Sequence, residues 1–280
     1  MTRGGGLPGL VHEAARRLRT SPALRHSLLS WSAFGLLCTA SLSVGVTVLH
    51  GPTVTTVAAV IAAALVWWTF ITAALFCGAA WLNTPDGVVI WRYGIPNGLT
   101  ALRSYLCLPL ILMATLALPG RTGLVMWCSI GFAAGMLDAV DGIIARRFGP
   151  LTELGRASDP ASDSLFFSMA AIGNVALGII PVWLAIVMLT RYFGPLLLTP
   201  LVLITGRRPR FEHTRWGRWN TILTGGVLFF CMWTRIFDGP VDIVALILGL
   251  PLLVPTTVLH FAALLERVRA ASEPAVPSAT

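Results

Sequence analysis

Four of the seven aspartates in this 280-residue chain, Asp138, Asp141, Asp159 and Asp163, fall within 26 consecutive positions. Spacings of three and four put each pair on one face of a helix, and an antiparallel turn would bring the two faces together. Carboxylates crowded this way repel, and in an apolar chain they persist only where something offsets that repulsion. Oxygen-only donors of high charge density suit hard divalent cations, magnesium, calcium or manganese, rather than zinc. Gly142 and Ala145 continue the face of Asp138 and Asp141. Gly155 is expected to end the intervening loop, and Arg146 stands beside the cluster. Small side chains let backbone approach a ligand, and arginine grips phosphate. The chemistry in view is a phosphate held through bridging metal ions. A lone Asp-x-x-Asp is most often a solvated helix end, but the complete spacing goes beyond that reading.

The elements that must carry this cluster are membrane helices. Hydrophobic residues make up 56% of the chain and charged ones 11%, against roughly 25% charged in soluble domains. That balance excludes a disordered chain, a secreted disulfide scaffold and a nucleic-acid binder built on a basic face. A span needs about 20 apolar residues. Eight segments qualify, near 28–49, 55–82, 101–118, 123–145, 161–180, 181–205, 219–236 and 241–264. The expected fold is an all-α polytopic membrane protein. The net charge of +8 comes from twenty arginines and no lysine. Seventeen of these arginines fall on one side of an eight-span arrangement and only Arg121 and Arg235 on the other. The positive-inside rule makes that side cytoplasmic, so both termini and the aspartate cluster are expected there.

Residues 1–27 read as a cytoplasmic basic arm without signal-peptide cleavage. Leu7, Leu10, Val11, Ala14 and Leu18 recur at helical spacing, which fits an interfacial helix on anionic lipid as well as a solvated arm that only sets topology. Residues 28–82 form a two-span hairpin, 83–268 a six-span domain and 269–280 a flexible tail. Between hairpin and domain, Val88, Val89, Ile90, Trp91 and Tyr93 suit a short helix at the lipid interface. Trp67, Trp68 and Trp81 either anchor the hairpin at an interface or pack it on the core. The five cysteines sit in apolar runs at unrelated spacings and read as packing residues.

From Asp138 to Asp163 the chain reads D-x-x-D-G-x-x-A-R, eight residues, then G-x-x-x-D-x-x-x-D. This string resembles the signature of the CDP-alcohol phosphotransferase family at all eight fixed positions. Ile95-Pro96-Asn97-Gly98-Leu99-Thr100-Ala101-Leu102-Arg103 is similar to the family's entry to its first helix. Trp216-Gly217-Arg218-Trp219-Asn220-Thr221 resembles a Gly-Lys-x-Lys-Thr element with both lysines replaced. The resemblance covers roughly residues 90–266 and implies a six-helix bundle preceded here by the extra hairpin. It implies that Asp138, Asp141, Asp159 and Asp163 hold two ions, Mg2+ or Mn2+, and that Asp163 is also the catalytic base. Gly142, Ala145, Arg146 and Gly155 would bind the cytidine diphosphate, with Asn97 and Thr100 nearby. CDP-diacylglycerol would be the donor, a small or lipid alcohol the acceptor, and a homodimer in the cell membrane the working form.

The acceptor is less marked. Thr152-Glu153-Leu154-Gly155 and Ser158-Asp159-Pro160-Ala161-Ser162-Asp163 resemble strings of the phosphatidylglycerophosphate synthase and cardiolipin synthase branch, although Ser164 replaces a lysine common there. The leading expectation is transfer to glycerol 3-phosphate, with phosphatidylglycerol or an inositol phosphate as alternative acceptors. Arg156, Arg191 and Arg218 are the acceptor-binding candidates. Arg191, deep in the sixth span, can equally be a structural partner for one of the aspartates. Two other classes stay open, a divalent-cation transporter and a catalytically inactive relative that binds a partner. The position of the aspartates at a helix end, away from the bilayer midplane, argues against transport.

Overall fold

The computed structural model describes residues 7–49, 53–116, 120–133, 152–204 and 215–270. These residues are almost entirely helical. In chain order the helices are α1 (Leu7–Thr20), α2 (Pro22–Val48), α3 (Val54–Gly78), α4 (Ile95–Thr115), α5 (120–133), α6 (Glu153–Ala176), α7 (Val182–Ile204), α8 (Arg215–Ile236), α9 (Val241–Val244) and α10 (Leu250–Ala270). A short 3₁₀ turn, Ala79–Trp81, follows α3, and a π-helical turn, Ala245–Gly249, joins α9 to α10. Among the described residues, four helices are long and apolar enough to cross a membrane: Pro22–Leu49, Val54–Trp81, Ile95–Thr115 and Val241–Leu264. The protein is an all-α polytopic membrane protein.

Local chemistry explains where the helices begin. Ser21 accepts a hydrogen bond from the Leu24 amide and Pro22 opens α2, so one orphan donor is satisfied and another never exists. Thr53 caps α3 in the same way through the Thr56 amide. The third and fifth apolar segments start earlier than hydropathy alone suggests, at Ile95 and Glu153. Polar first turns are helical here because Pro96 and the Thr152 cap favour initiation. Gly155, expected at the end of a loop, therefore lies in the first turn of α6.

The link 83–94 is not the interfacial helix that its apolar residues suggest. Thr84 N–H donates to the Val88 carbonyl and Gly87 N–H to the Thr84 carbonyl, at 2.9 Å each, and Asn83 pairs with Val89 in an isolated bridge. Gly87 has φ +84, the left-handed region that glycine enters without a Cβ penalty. Pro85-Asp86-Gly87 thus reverses the chain, and the residues after it run extended.

The described chain packs as two compact units. One takes in α1 to α6 and most of α7, and the other takes in the start of α7 with α8 to α10. In the first, the hairpin α2–α3 lies directly on α4. Trp67 Nε1 donates to the Ser104 carbonyl at 3.0 Å and Trp68 Nε1 to the Ser32 carbonyl at 2.8 Å, so both tryptophans serve the core. Thr39 Oγ1 donates to the Tyr105 carbonyl at 3.2 Å, and Thr72 Oγ1 shares a proton with the Tyr105 hydroxyl at 2.8 Å. Trp127 on α5 donates to Asn174 Oδ1 on α6 at 2.7 Å.

The arm is helical as its periodicity predicts, and it is docked on protein. Ala14 and Leu18 are buried and Leu10 packs on the core, while Val11 stays exposed. Glu13 accepts from Arg16 and Arg17 at 2.8–2.9 Å. Hydrogen bonding from Arg16, aided by Arg17, holds the Glu13 carboxyl down at about 2 against an ordinary 4.5. A depressed carboxyl stabilises the fold fully above the ordinary value and loses that contribution as pH falls towards 2, so this clasp is intact at neutral pH. In the second unit, Asn220 Nδ2 on α8 donates to Thr256 Oγ1 at 2.7 Å and Thr257 Oγ1 at 3.3 Å on α10.

The hairpin's seat on α4 depends on missing side chains. A Cβ at Gly98 would stand 2.0 Å from the Trp31 ring, and one at Gly35 would stand 2.4 Å from Tyr105. Gly98→Ala should therefore cost about 1–3 kcal/mol through forced displacement of Trp31. Gly45→Ala, with nothing within 4 Å, should be neutral or slightly stabilising. Thermal unfolding of the detergent-solubilised variants checks both, and a Gly98→Ala midpoint at or above wild type overturns the packing argument.

Candidate functional site

The seam between α4 and α6 is where charge enters the apolar interior. Arg103 on α4 is 5% exposed, and a guanidinium so buried needs partners. Its Nη2 pairs with Asp163 Oδ1 at 2.6 Å, and its Nε donates to Ser162 Oγ at 3.1 Å. The Asp163 side chain keeps 21% exposure, and its Oδ2 makes no hydrogen bond among the described residues. Ser104 Oγ and Ser162 Oγ lie 3.1 Å apart, and the carbonyl of Thr100 accepts from both at 3.2–3.3 Å. Arg103 thus orients one oxygen of Asp163 and leaves the other available.

One turn nearer the helix ends, Thr100 Oγ1 lies 3.2 Å from Asp159 Oδ1, sharing its proton with the Pro96 carbonyl at 3.1 Å. Asp159 itself is exposed. One further turn along α4 and two along α6, Thr152 caps α6. Its Oγ1 accepts from the Gly155 amide at 3.0 Å and donates to Asn97 Oδ1 at 3.2 Å. A Cβ on Gly155 would come within 3.2 Å of Asn97 Oδ1 and 3.3 Å of Thr152 Oγ1, so glycine lets these elements close up. The Asn97 amide nitrogen makes no hydrogen bond among the described residues and remains a donor for a ligand. Asn97, Thr100, Gly155, Asp159 and Asp163 therefore line one seam.

Arg191 on α7 reaches the same region. It is buried, its Cζ lies 5.1 Å from the Tyr192 ring centroid, and Asp163 is within electrostatic reach of it. Tyr192 stacks on Phe167 of α6 at 4.5 Å and 13°, which fixes this stretch of α7 one turn from Asp163. Arg156 is exposed on α6 between Thr152 and Asp159. Arg218 lies in the first turn of α8, in the second unit. Asp138, Asp141, Gly142, Ala145 and Arg146 lie outside the described residues.

The described half of the donor set fits a hard divalent cation. Asp159 and Asp163 sit four apart on one helix face and offer only carboxylate oxygens, beside the Thr100 hydroxyl. Among the described residues no group of three or more His, Cys, Asp and Glu converges, and the other two aspartates of the motif lie outside that set. The reading from spacing alone overlooked Thr152 and Arg103. Thr152 carried a signal, a threonine three residues before the glycine whose amide it caps. Arg103 carries one too, as a charge within an apolar segment, although neither topology nor the resemblance of the Ile95–Arg103 string gives it a role at the site.

A family model described as CDP-alcohol phosphatidyltransferase matches residues 93–259, more than half of the chain. A "Probable phosphatidylglycerophosphate synthase" of Mycobacterium tuberculosis is 34% identical over 118 residues, 41% of this chain and 56% of that protein. The "CDP-diacylglycerol--glycerol-3-phosphate 3-phosphatidyltransferase" of Haemophilus influenzae is 28% identical over 160 residues, 56% of this chain and 84% of that one. A "Cardiolipin synthase (CMP-forming)" of Streptomyces coelicolor is 40% identical over 58 residues, 21% of this chain and 27% of that one. The chain thus spans little more than half the length of the mycobacterial relative. No solved structure matches it significantly.

The Thr152 cap generates a direct test. Thr152→Ala removes both the cap on Gly155 and the tie to Asn97, and should lower stability by about 1 kcal/mol. Thr152→Ser, which retains the hydroxyl, should recover most of that loss. Thermal unfolding in detergent compares the two, and equal losses would show that the hydroxyl is not the cause.

Proposed function

The chain belongs to the CDP-alcohol phosphatidyltransferase family, and from this we propose that it moves the phosphatidyl group of CDP-diacylglycerol to glycerol 3-phosphate, releasing CMP. The observation that carries the chemistry is Asp163, one oxygen held by Arg103 and the other left without a hydrogen bond among the described residues. The acceptor's hydroxyl oxygen attacks the phosphorus of the phosphatidyl group, and its proton passes to Asp163 Oδ2. The bond from that phosphorus to the CMP oxygen breaks, and CMP departs with the electron pair. A carboxylate within hydrogen-bond reach of the hydroxyl is enough for this proton transfer.

Asn97, whose amide nitrogen makes no hydrogen bond among the described residues, would take the cytidine diphosphate with the Thr152–Gly155 turn and Thr100, together with Gly142, Ala145 and Arg146. Gly155 brings backbone close to the ligand. Asp138, Asp141, Asp159 and Asp163 would hold two Mg2+ or Mn2+ ions, which when bound neutralise the pyrophosphate and the departing charge. Arg191 supplies a buried positive charge near Asp163, suited to the acceptor's phosphate, with Arg156 and Arg218 as further candidates. The arginine distribution supports a cytoplasmic site with both termini on that side. The working form is proposed to be a homodimer.

The names of the mycobacterial and Haemophilus relatives support glycerol 3-phosphate as acceptor. The Streptomyces relative supports a second reading, phosphatidylglycerol as acceptor with cardiolipin as product. Membranes containing the protein, supplied with CDP-diacylglycerol, Mg2+ and labelled acceptors, should release CMP and label lipid from glycerol 3-phosphate. Label entering lipid only from another alcohol transfers the assignment to that alcohol, and absence of CMP release with every acceptor rejects the reaction. Asp163→Asn should lower turnover by about 10³-fold or more while CDP-diacylglycerol still binds. Turnover near wild type in that variant would rule out Asp163 as the base.

A further inference from the structure

The cytoplasmic end of α6 is held from a direction that the reaction does not require. Glu153, the first residue of α6, donates its backbone N–H to the Asn83 carbonyl at 2.8 Å. This amide is one of the orphan donors that a helix start leaves unsatisfied, so whatever holds Asn83 also holds α6 along its axis. Asn83 is 6% exposed and is itself pinned twice. Its backbone N–H donates to the Trp81 carbonyl at 2.8 Å, and its Oδ1 accepts from Arg17 Nη1 at 3.0 Å. Arg17 also approaches the Ala79 carbonyl at 3.4 Å, and Glu13 holds it from behind at 2.8 Å. A continuous chain of hydrogen bonds therefore runs from Glu13 through Arg17 and Asn83 to Glu153. The neighbouring residue, Thr152, caps α6 and touches Asn97.

We propose that Arg17 and Asn83 are positioning residues, through which the N-terminal helix α1 sets the axial position of α6 and hence of the donor-lipid end of the site. The inference rests on the reading of that site as the CDP-diacylglycerol site. One residue of axial slip moves a helix by about 1.5 Å. Displacements of about 1 Å in a catalytic constellation cost about 10²-fold in rate, so a second attachment that fixes the α6 start bears on the site. The cap and the Asn97 contact lie on the α4 side, whereas Asn83 belongs to the segment joining α3 to α4. The two attachments constrain α6 from different elements. Arg19 lies on the same helix with its side chain in solvent and takes no part in the chain of bonds to Asn83, whereas Arg16 touches only its first member, Glu13.

The test is steady-state kinetics on the full-length protein in detergent–lipid micelles, with CDP-diacylglycerol and the acceptor varied separately. Arg17→Ala and Asn83→Leu should each raise the KM for CDP-diacylglycerol about tenfold, with the acceptor KM unchanged, as for residues that orient ligating groups from behind. Asn83→Asp keeps the acceptor oxygen and should retain wild-type values, as should Arg19→Ala. Because both singles act through one contact, the double variant Arg17→Ala/Asn83→Leu should lose about tenfold rather than about a hundredfold. If Arg17→Ala fails to fold, Asn83→Leu against Asn83→Asp still decides. Unchanged donor KM in Asn83→Leu, equal rises in both KM values, or additive losses in the double variant would overturn the positioning role. Wild-type protein that releases no CMP sinks the underlying reading, a result distinct from an active wild type with a silent Asn83→Leu.

Discussion

A guanidinium that is almost wholly buried between apolar helices constrains everything around it. Arg103 cannot be hydrated where it lies, so α4 and α6 must meet in the register that gives it Asp163 and Ser162. Once that register is set, Thr100 falls opposite Asp159 and Asn97 opposite Thr152, one turn apart on α4 and two on α6 along the same seam. The polar side chains of both helices converge there because an apolar surface would leave them unsatisfied. A structural requirement, satisfying one buried charge, and a chemical one, aligning carboxylates, are met by the same contact.

The hairpin that precedes α4 is understood in the same terms. It adds no carboxylate to the seam, but it backs α4 with tryptophans whose indole donors reach carbonyls of Ser104 and Ser32. Gly35 and Gly98 let Tyr105 and Trp31 close the gap. A helix that carries part of a site on one face and is gripped along another has little freedom to rock. The basic arm belongs to this support as well. Its inner face packs on protein, and one of its arginines is turned inward, away from solvent and lipid.

Much of this was legible in the residues. Each of the eight apolar segments contains described helical residues, because an apolar stretch of that length leaves the backbone few alternatives in lipid. The α1 periodicity, with Ala14 and Leu18 inward, was legible too. Residues 88–93 were misread because their composition suits a membrane interface, whereas Gly87 at positive φ and the Asn83–Val89 bridge hold them extended. Gly155 was misplaced because a polar first turn has no hydropathy signal, although its threonine cap is visible on inspection.

Residue order alone settled that this chain is a membrane protein, displayed the family-like string from Asp138 to Asp163, and put Asp159 and Asp163 on one helix face. The first and the last follow from composition and from helical periodicity, both local properties, and the second from the resemblance of a motif. Which side chain would restrain Asp163, what would hold the first turn of α6, and whether the arm faced lipid or protein were decided only by folding. Arg103 and Asp163 are 60 positions apart, and Arg17 and Asn83 are 66 apart. No local pattern encodes such pairs. They form because burial removes water as a partner, and each charged or polar group must then find its complement on whichever helix packs beside it.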